Sequence, residues 1–134
     1  MLHYVTLGSN DLVRSKRFYD PVMKTLGLFC NVADDTDIGY GPTPSPDVRL
    51  VRLWVLKPVL KLPATWANGT MIALTAESRT AVDAFHAAAM LNGGIDEGAP
   101  GLRPYSPNFY ACYVRDPDGN KLAAVCRGAG LPDV

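Results

Sequence analysis

Charge of one sign is what this sequence most plainly lacks. Thirteen basic and thirteen acidic side chains cancel across 134 residues, and neither sign forms a block. That speaks against the concentrated basic footprint of a nucleic-acid binder and against the polybasic patch of a membrane-surface protein. Long apolar runs are missing too, since no stretch approaches the ~20 residues needed to span a bilayer. Met1 leads straight into a strand-like segment, with no basic stretch followed by an apolar one, so no secretory leader is expected. Cysteine is sparse. Cys30, Cys112 and Cys126 are odd in number and lack metal-like spacing, which points to reduced thiols in a cytoplasmic protein. Apolar residues, by contrast, make up 48% of the chain. That is enough for one domain with a sizeable core, or for two small halves sharing one.

The densest local signal is Asp116-Pro117-Asp118-Gly119-Asn120. Proline fixes φ, glycine tolerates φ > 0, and the aspartates can cap backbone N–H groups, so this is turn chemistry. Aromatic and β-branched residues precede it at 108–114 and an apolar run follows at 122–126, which predicts a β-hairpin. Upstream, 2–9 is strand-like. Asn10 or Asp11 can cap a helix from about Leu12 to Leu26, which Pro21 should kink or divide and Gly27 should stop. Short strands are expected near 28–33 and 38–41, then a proline-bearing loop at 43–47. An imperfectly alternating strand follows at 48–56. Residues 58–68, with Pro58 and Pro63, read as a connection.

After that connection the order starts again. A strand at 70–76 precedes a helix from Arg79 to Leu91 that Ser78 caps and Gly93-Gly94 stop. A short segment near Ile95, a Pro/Gly loop at 99–107 and the closing hairpin complete it. Setting the first strands against each other places His3 opposite Met71. Setting the helices against each other places Phe18-Tyr19 opposite Phe85-His86, one position out of step. The near-equal offsets predict an internal duplication of strand, helix and three strands.

Three segments carry a family resemblance. They are His-Tyr-Val-Thr-Leu-Gly-Ser-Asn-Asp-Leu-x-x-Ser-x-x-Phe-Tyr at 3–19, Asp-Pro-Asp-Gly-Asn-Lys-Leu-x-x-Val at 116–125, and Ala-Val-Asp-Ala-Phe-His-Ala-Ala-Ala at 81–89 with Gly-Ala-Pro-Gly-Leu-Arg-Pro at 98–104. Together with the duplication, the chain resembles the vicinal oxygen chelate superfamily of glyoxalase I, extradiol dioxygenases and bleomycin-resistance proteins, in a bacterial glyoxalase-like subgroup. The resemblance implies an α+β fold. Two βαβββ modules, about 1–57 and 69–127, would form a U-shaped, partly closed mixed sheet with helices outside, in a single domain spanning 1–134.

Metal-binding members take their ligands from the first and last strand of each module, and hold a divalent cation that binds a substrate's neighbouring oxygens. Carried onto this chain, the resemblance gives His3 at one such position, Met71 where the second histidine would stand, and Ala123 where a carboxylate would stand. The strand at 48–56 offers no His, Asp or Glu. One imidazole does not hold a divalent cation, so no metal or other cofactor is expected unless ligands lie elsewhere; Asp47 and His86 are the nearest alternatives.

The candidate ligand-binding residues are His3, Arg49, Arg52, Trp54, Arg103, Tyr105 and Tyr110, with Tyr40, Tyr113 and Asn108 as further pocket candidates. His3 is equally readable as a core histidine and the arginines as solvent-facing. Two functions remain open. One is a metal-free module, as a homodimer, that binds a small organic molecule. The other is a glyoxalase- or dioxygenase-type enzyme in which His3 or a tyrosine is the base and an arginine stabilises the anion. Cys112 and Cys126 read as buried, inert thiols.

Overall fold

The structure is a computed structural model and describes residues 1–128. The first module comprises β1 (Val5–Gly8), α1 (Leu12–Lys24), β2 (Phe29–Ala33), β3 (Asp37–Gly41) and β4 (Leu53–Leu56). The second comprises β5 (Ile72–Thr75), α2 (Arg79–Leu91), β6 (Ile95–Leu102), β7 (Tyr110–Arg115) and β8 (Lys121–Cys126). Each forms its own four-stranded mixed sheet, ordered β1-β4-β3-β2 and β5-β8-β7-β6. In each sheet the first strand runs parallel to the last, and the other pairs are antiparallel. The α+β pair of βαβββ modules is therefore present, as two sheets that do not close.

Local chemistry sets the helices. The Asp11 side chain accepts from the Arg14 N–H and the Ser78 side chain from the Ala81 N–H, so each helix begins on a capping residue. Pro21 lies inside α1 without dividing it. Each helix lays its apolar face on its own sheet, and the two helices pack together. Phe18, Tyr19, Val22 and Met23 of α1 and Val82, Phe85 and Ala89 of α2 thus join strand residues in one continuous core.

Register corrects the alignment of the two halves. Val5 pairs with Leu53 in the first module, and Ile72 pairs with Leu122 in the second. Val5 and Ile72 are therefore equivalent, at the same spacing as the caps Asp11 and Ser78. The duplication runs through strand and helix without a gap. The counterpart of Met71 is Tyr4, not His3, and the counterpart of Ala123 is Trp54. Two other expectations shift. The segment 48–56 is not one strand, because Asp47 caps a 3-10 turn at Val48–Leu50 before β4 begins. The short strand near Ile95 extends to Leu102 through Pro100. A proline is tolerated there because β6 is an edge strand whose register slips twice.

The Asp-Pro-Asp-Gly-Asn turn joins β7 to β8 and is also a latch between modules. Asp118 is buried, and its carboxylate accepts from the Asn10 N–H (3.0 Å), the Arg14 guanidinium (2.7 Å) and the Ser15 hydroxyl (3.2 Å). Asn120 donates to the Gly8 carbonyl at 2.9 Å. Asp116, also buried, takes the Tyr19 hydroxyl (2.5 Å) and the Asn120 amide (2.8 Å) on one oxygen, and the N–H groups of Asp118 and Asn120 on the other. Burial pushes the Asp116 carboxyl above the usual range, and these four donors oppose the shift. Burial, with Asp116 alongside, holds the Tyr19 hydroxyl well above the ordinary tyrosine range.

The connecting segment closes over this latch. Asn10 and Ala64 exchange two hydrogen bonds, and the Trp66 ring lies under the Arg115 guanidinium, 4.7 Å from ring centroid to Cζ.

Cutting the latch should be costly. Asp118→Ala takes the acceptor from the half-exposed Arg14 guanidinium, the Ser15 hydroxyl and the Asn10 N–H, for which about 2 kcal/mol of lost stability is expected in urea unfolding. Gly119 has φ +89°, and a Cβ there would lie 2.7 Å from the Trp66 ring. Gly119→Ala should therefore lower stability by about 1–3 kcal/mol. Adding Trp66→Ala should recover the steric part of that loss but not the backbone part, as a double-mutant cycle would show.

Candidate functional site

The first module's sheet has one face covered by α1, with Leu53 and Val55 of β4 and Ile38 and Tyr40 of β3 buried against it. Alternation sends Trp54 and Leu56, and Asp37 and Gly39, to the opposite face. β1 follows suit, with Leu7 in the core and Tyr4 and Thr6 on the open side. That open face holds a cavity of about 340 Å³. Its rings are His3, Tyr4 and Trp54, its aliphatic wall is Val48, Val51 and Leu56, and its remaining polar lining is Thr6 and Asp37.

Gly39 makes this wall possible. A Cβ at that position would lie 2.9 Å from the Val51 methyls and 3.0 Å from Trp54 Cζ3. The bare backbone of β3 lets both side chains lie close against the strand. The 3-10 turn at 48–50 then delivers Val48 and Val51 to the rim, so the segment first read as a plain strand is what closes one side of the cavity.

Of the candidates taken from sequence, the structure brings His3 and Trp54 into this cavity, and places the others elsewhere. The Arg49 guanidinium is exposed and paired with Asp47 at 2.6 Å, which holds the Asp47 carboxyl down at about 2. Arg52 donates to the carbonyls of Arg49 and Val51, at 2.8 and 3.1 Å. Neither arginine lines the cavity, because the expected alternating strand is broken by the turn that carries Arg49. Arg103 belongs to the second module, where it donates to the Ala99 carbonyl (2.7 Å) and lies over the Tyr113 ring at 5.4 Å. Tyr105 is exposed and packs edge-on to Phe109.

Tyr110 points to α2. Its hydroxyl donates to Asp83 at 2.6 Å, and Arg79 lies over its ring. Tyr40 likewise belongs to the helix side, donating to Asp20 at 2.7 Å. His86 pairs with Asp96 at 2.9 Å, away from the cavity. Cys112 is buried with its thiol on the Val82 carbonyl, and burial pushes it up to about 11, so it is no thiolate at neutral pH.

Tyr4, Thr6 and Asp37 were missed from sequence. The signal for the first two was available: once Val5 and Leu7 are assigned to the core, strand alternation puts Tyr4 and Thr6 on the other face. Asp37 begins a strand after an acidic turn and gives no such sign.

The positions that the family resemblance assigns to metal ligands hold His3, Met71 and Ala123, with Trp54 as the counterpart of Ala123 in the first module, and among the described residues no three His, Cys, Asp or Glu side chains gather into a metal-holding group. An indole, a thioether and a methyl do not fit a hard divalent cation.

Paired βαβββ modules, each with one face under a helix and one face open, are the architecture of the vicinal oxygen chelate superfamily. A glyoxalase/bleomycin resistance protein from Albidiferax ferrireducens T118 superposes with a TM-score of 0.79 at 38% identity, over 93% of this chain and 97% of that one. The chain belongs to the glyoxalase/bleomycin resistance protein family. A glyoxalase-related enzyme from Fulvimarina pelagi (TM-score 0.71, 20% identity, 93% and 86% covered) shares the fold. So does a glyoxalase/bleomycin resistance protein/dioxygenase family enzyme from Burkholderia phytofirmans PsJN (0.65, 16%, 92% and 95%). No family model and no curated protein matches the chain.

These placements separate two tyrosines that look alike in sequence. Tyr4→Ala should weaken binding of any ligand held in the cavity. Tyr110→Phe, which removes only the Asp83 contact, should leave it unchanged, as isothermal titration of the two variants would show.

Proposed function

We propose that the protein binds a small organic molecule in the first module's cavity, without a metal ion. The observation that carries this reading is the grouping of the Tyr4, Trp54 and His3 rings with an aliphatic wall on an open sheet face. Ligand sites are commonly apolar hollows with a few placed polar groups, and Thr6 and Asp37 supply those here. The residues at the family's metal-ligand positions support independence from a metal, since Trp54, Met71 and Ala123 offer no hard donor.

The reading includes a cytoplasmic homodimer. No helix among the described residues is long and apolar enough to cross a membrane. Tyr4, Val48 and Met71 are each about half exposed. A second copy would cover them and deepen a cavity that only one module lines.

The test is a thermal-shift screen of aromatic small molecules on protein stripped with a chelator. A binder at a hundred times its Kd adds about 2.7 kcal/mol of stability, and Trp54→Ala should abolish the shift. A shift that requires added Mn²⁺, Ni²⁺ or Fe²⁺ would overturn the metal-free part. For the assembly, light scattering should give a dimer mass, and Met71→Glu should move it toward the monomer.

A further inference from the structure

Resting on that cavity, we propose that its ligand is a cation: a flat aromatic body carrying a protonated nitrogen that is held by Asp37. Asp37 is the one charged residue in the lining, and no lysine or arginine lines the cavity with it. The two arginines nearest in sequence are committed elsewhere, Arg49 to Asp47 and Arg52 to backbone carbonyls. Among the described residues Asp37 has no basic partner. Its side-chain neighbour is the Thr36 hydroxyl at 3.2 Å, and that single proton has a shorter acceptor in Asp34 at 2.9 Å. The carboxylate therefore reaches the cavity short of donors.

Three consequences follow for what the cavity accepts. An anionic ligand would meet like charge with no lysine or arginine in the lining to offset it. A neutral ligand that displaced water from Asp37 would leave a carboxylate desolvated and unpartnered, which is unfavourable. A protonated amine satisfies the carboxylate by a charge-assisted hydrogen bond, and the faces of Trp54 and Tyr4 attract the same charge. Asp37 is also rigidly placed. It sits in β3 in register with Leu56, itself part of the wall, so the charge stands at a fixed point beside the aliphatic surface. An apolar body and a cationic end are thus matched at one site.

Three probes of one shape and different charge test this on the full-length protein: tryptamine, 3-methylindole and indole-3-acetate, titrated calorimetrically. Tryptamine should bind at least about tenfold more tightly than indole-3-acetate, and added sodium chloride should weaken tryptamine more than 3-methylindole. Asp37→Asn, or Asp37→Ser should the first variant fold poorly, should collapse the preference while leaving 3-methylindole binding in place. Equal or tighter binding of the acid, a preference that survives both substitutions, or no binding by any of the three would overturn the cation assignment. Failure of the cavity reading itself looks different. There, aromatic compounds of every charge would shift the melting temperature equally in wild type and in Trp54→Ala.

Discussion

One carboxylate ties the last turn of the second module to the first. Asp118 sits in the last hairpin turn, yet the donors around it come from the loop after β1 and the first turn of α1. An ionised group with no exposed surface survives only when its oxygens are filled, and here they are filled by the opposite module. Because Asn120 reaches the Gly8 carbonyl from the same turn, the end of β1 and the start of β8 are fixed relative to each other. Trp66 and the Asn10–Ala64 exchange lay the connection over the joint.

That division of labour leaves the open sheet faces free of structural duty. The helix sides carry the packing: Tyr110 and Cys112 are spent on α2, Tyr40 on α1. The residues of β1, β3 and β4 that alternate away from the helix can therefore be chosen for what they bind. In the first module they are rings and one carboxylate. In the second, Arg103 and Lys121 both approach the Tyr113 ring.

Much of the scaffold was legible because local chemistry and tertiary demand agree. Both helices begin on their capping residues, and the Asp-Pro-Asp-Gly-Asn turn stands where its residue types require. The candidate site was far less legible. A one-residue slip between equivalent strands exchanges the faces of every side chain in them, and it set Met71 against His3 when Tyr4 is its counterpart. The arginines misled for a related reason. Alternating apolar residues at 48–56 suggested a continuous strand, whereas Asp47 capping the Arg49 N–H converts the first part into a turn.

The sequence by itself determined the duplicated βαβββ plan, the helix starts and the closing hairpin. These follow from capping, periodicity and turn chemistry, which act over a few residues. Only the tertiary structure decided that the hairpin turn is the joint between modules, that Val48 and Val51 line the cavity beside Trp54, and that Asp37 stands there without a basic partner among the described residues. Each depends on register or on contacts between segments as much as 112 residues apart, and no local pattern along the chain encodes a distance of that kind.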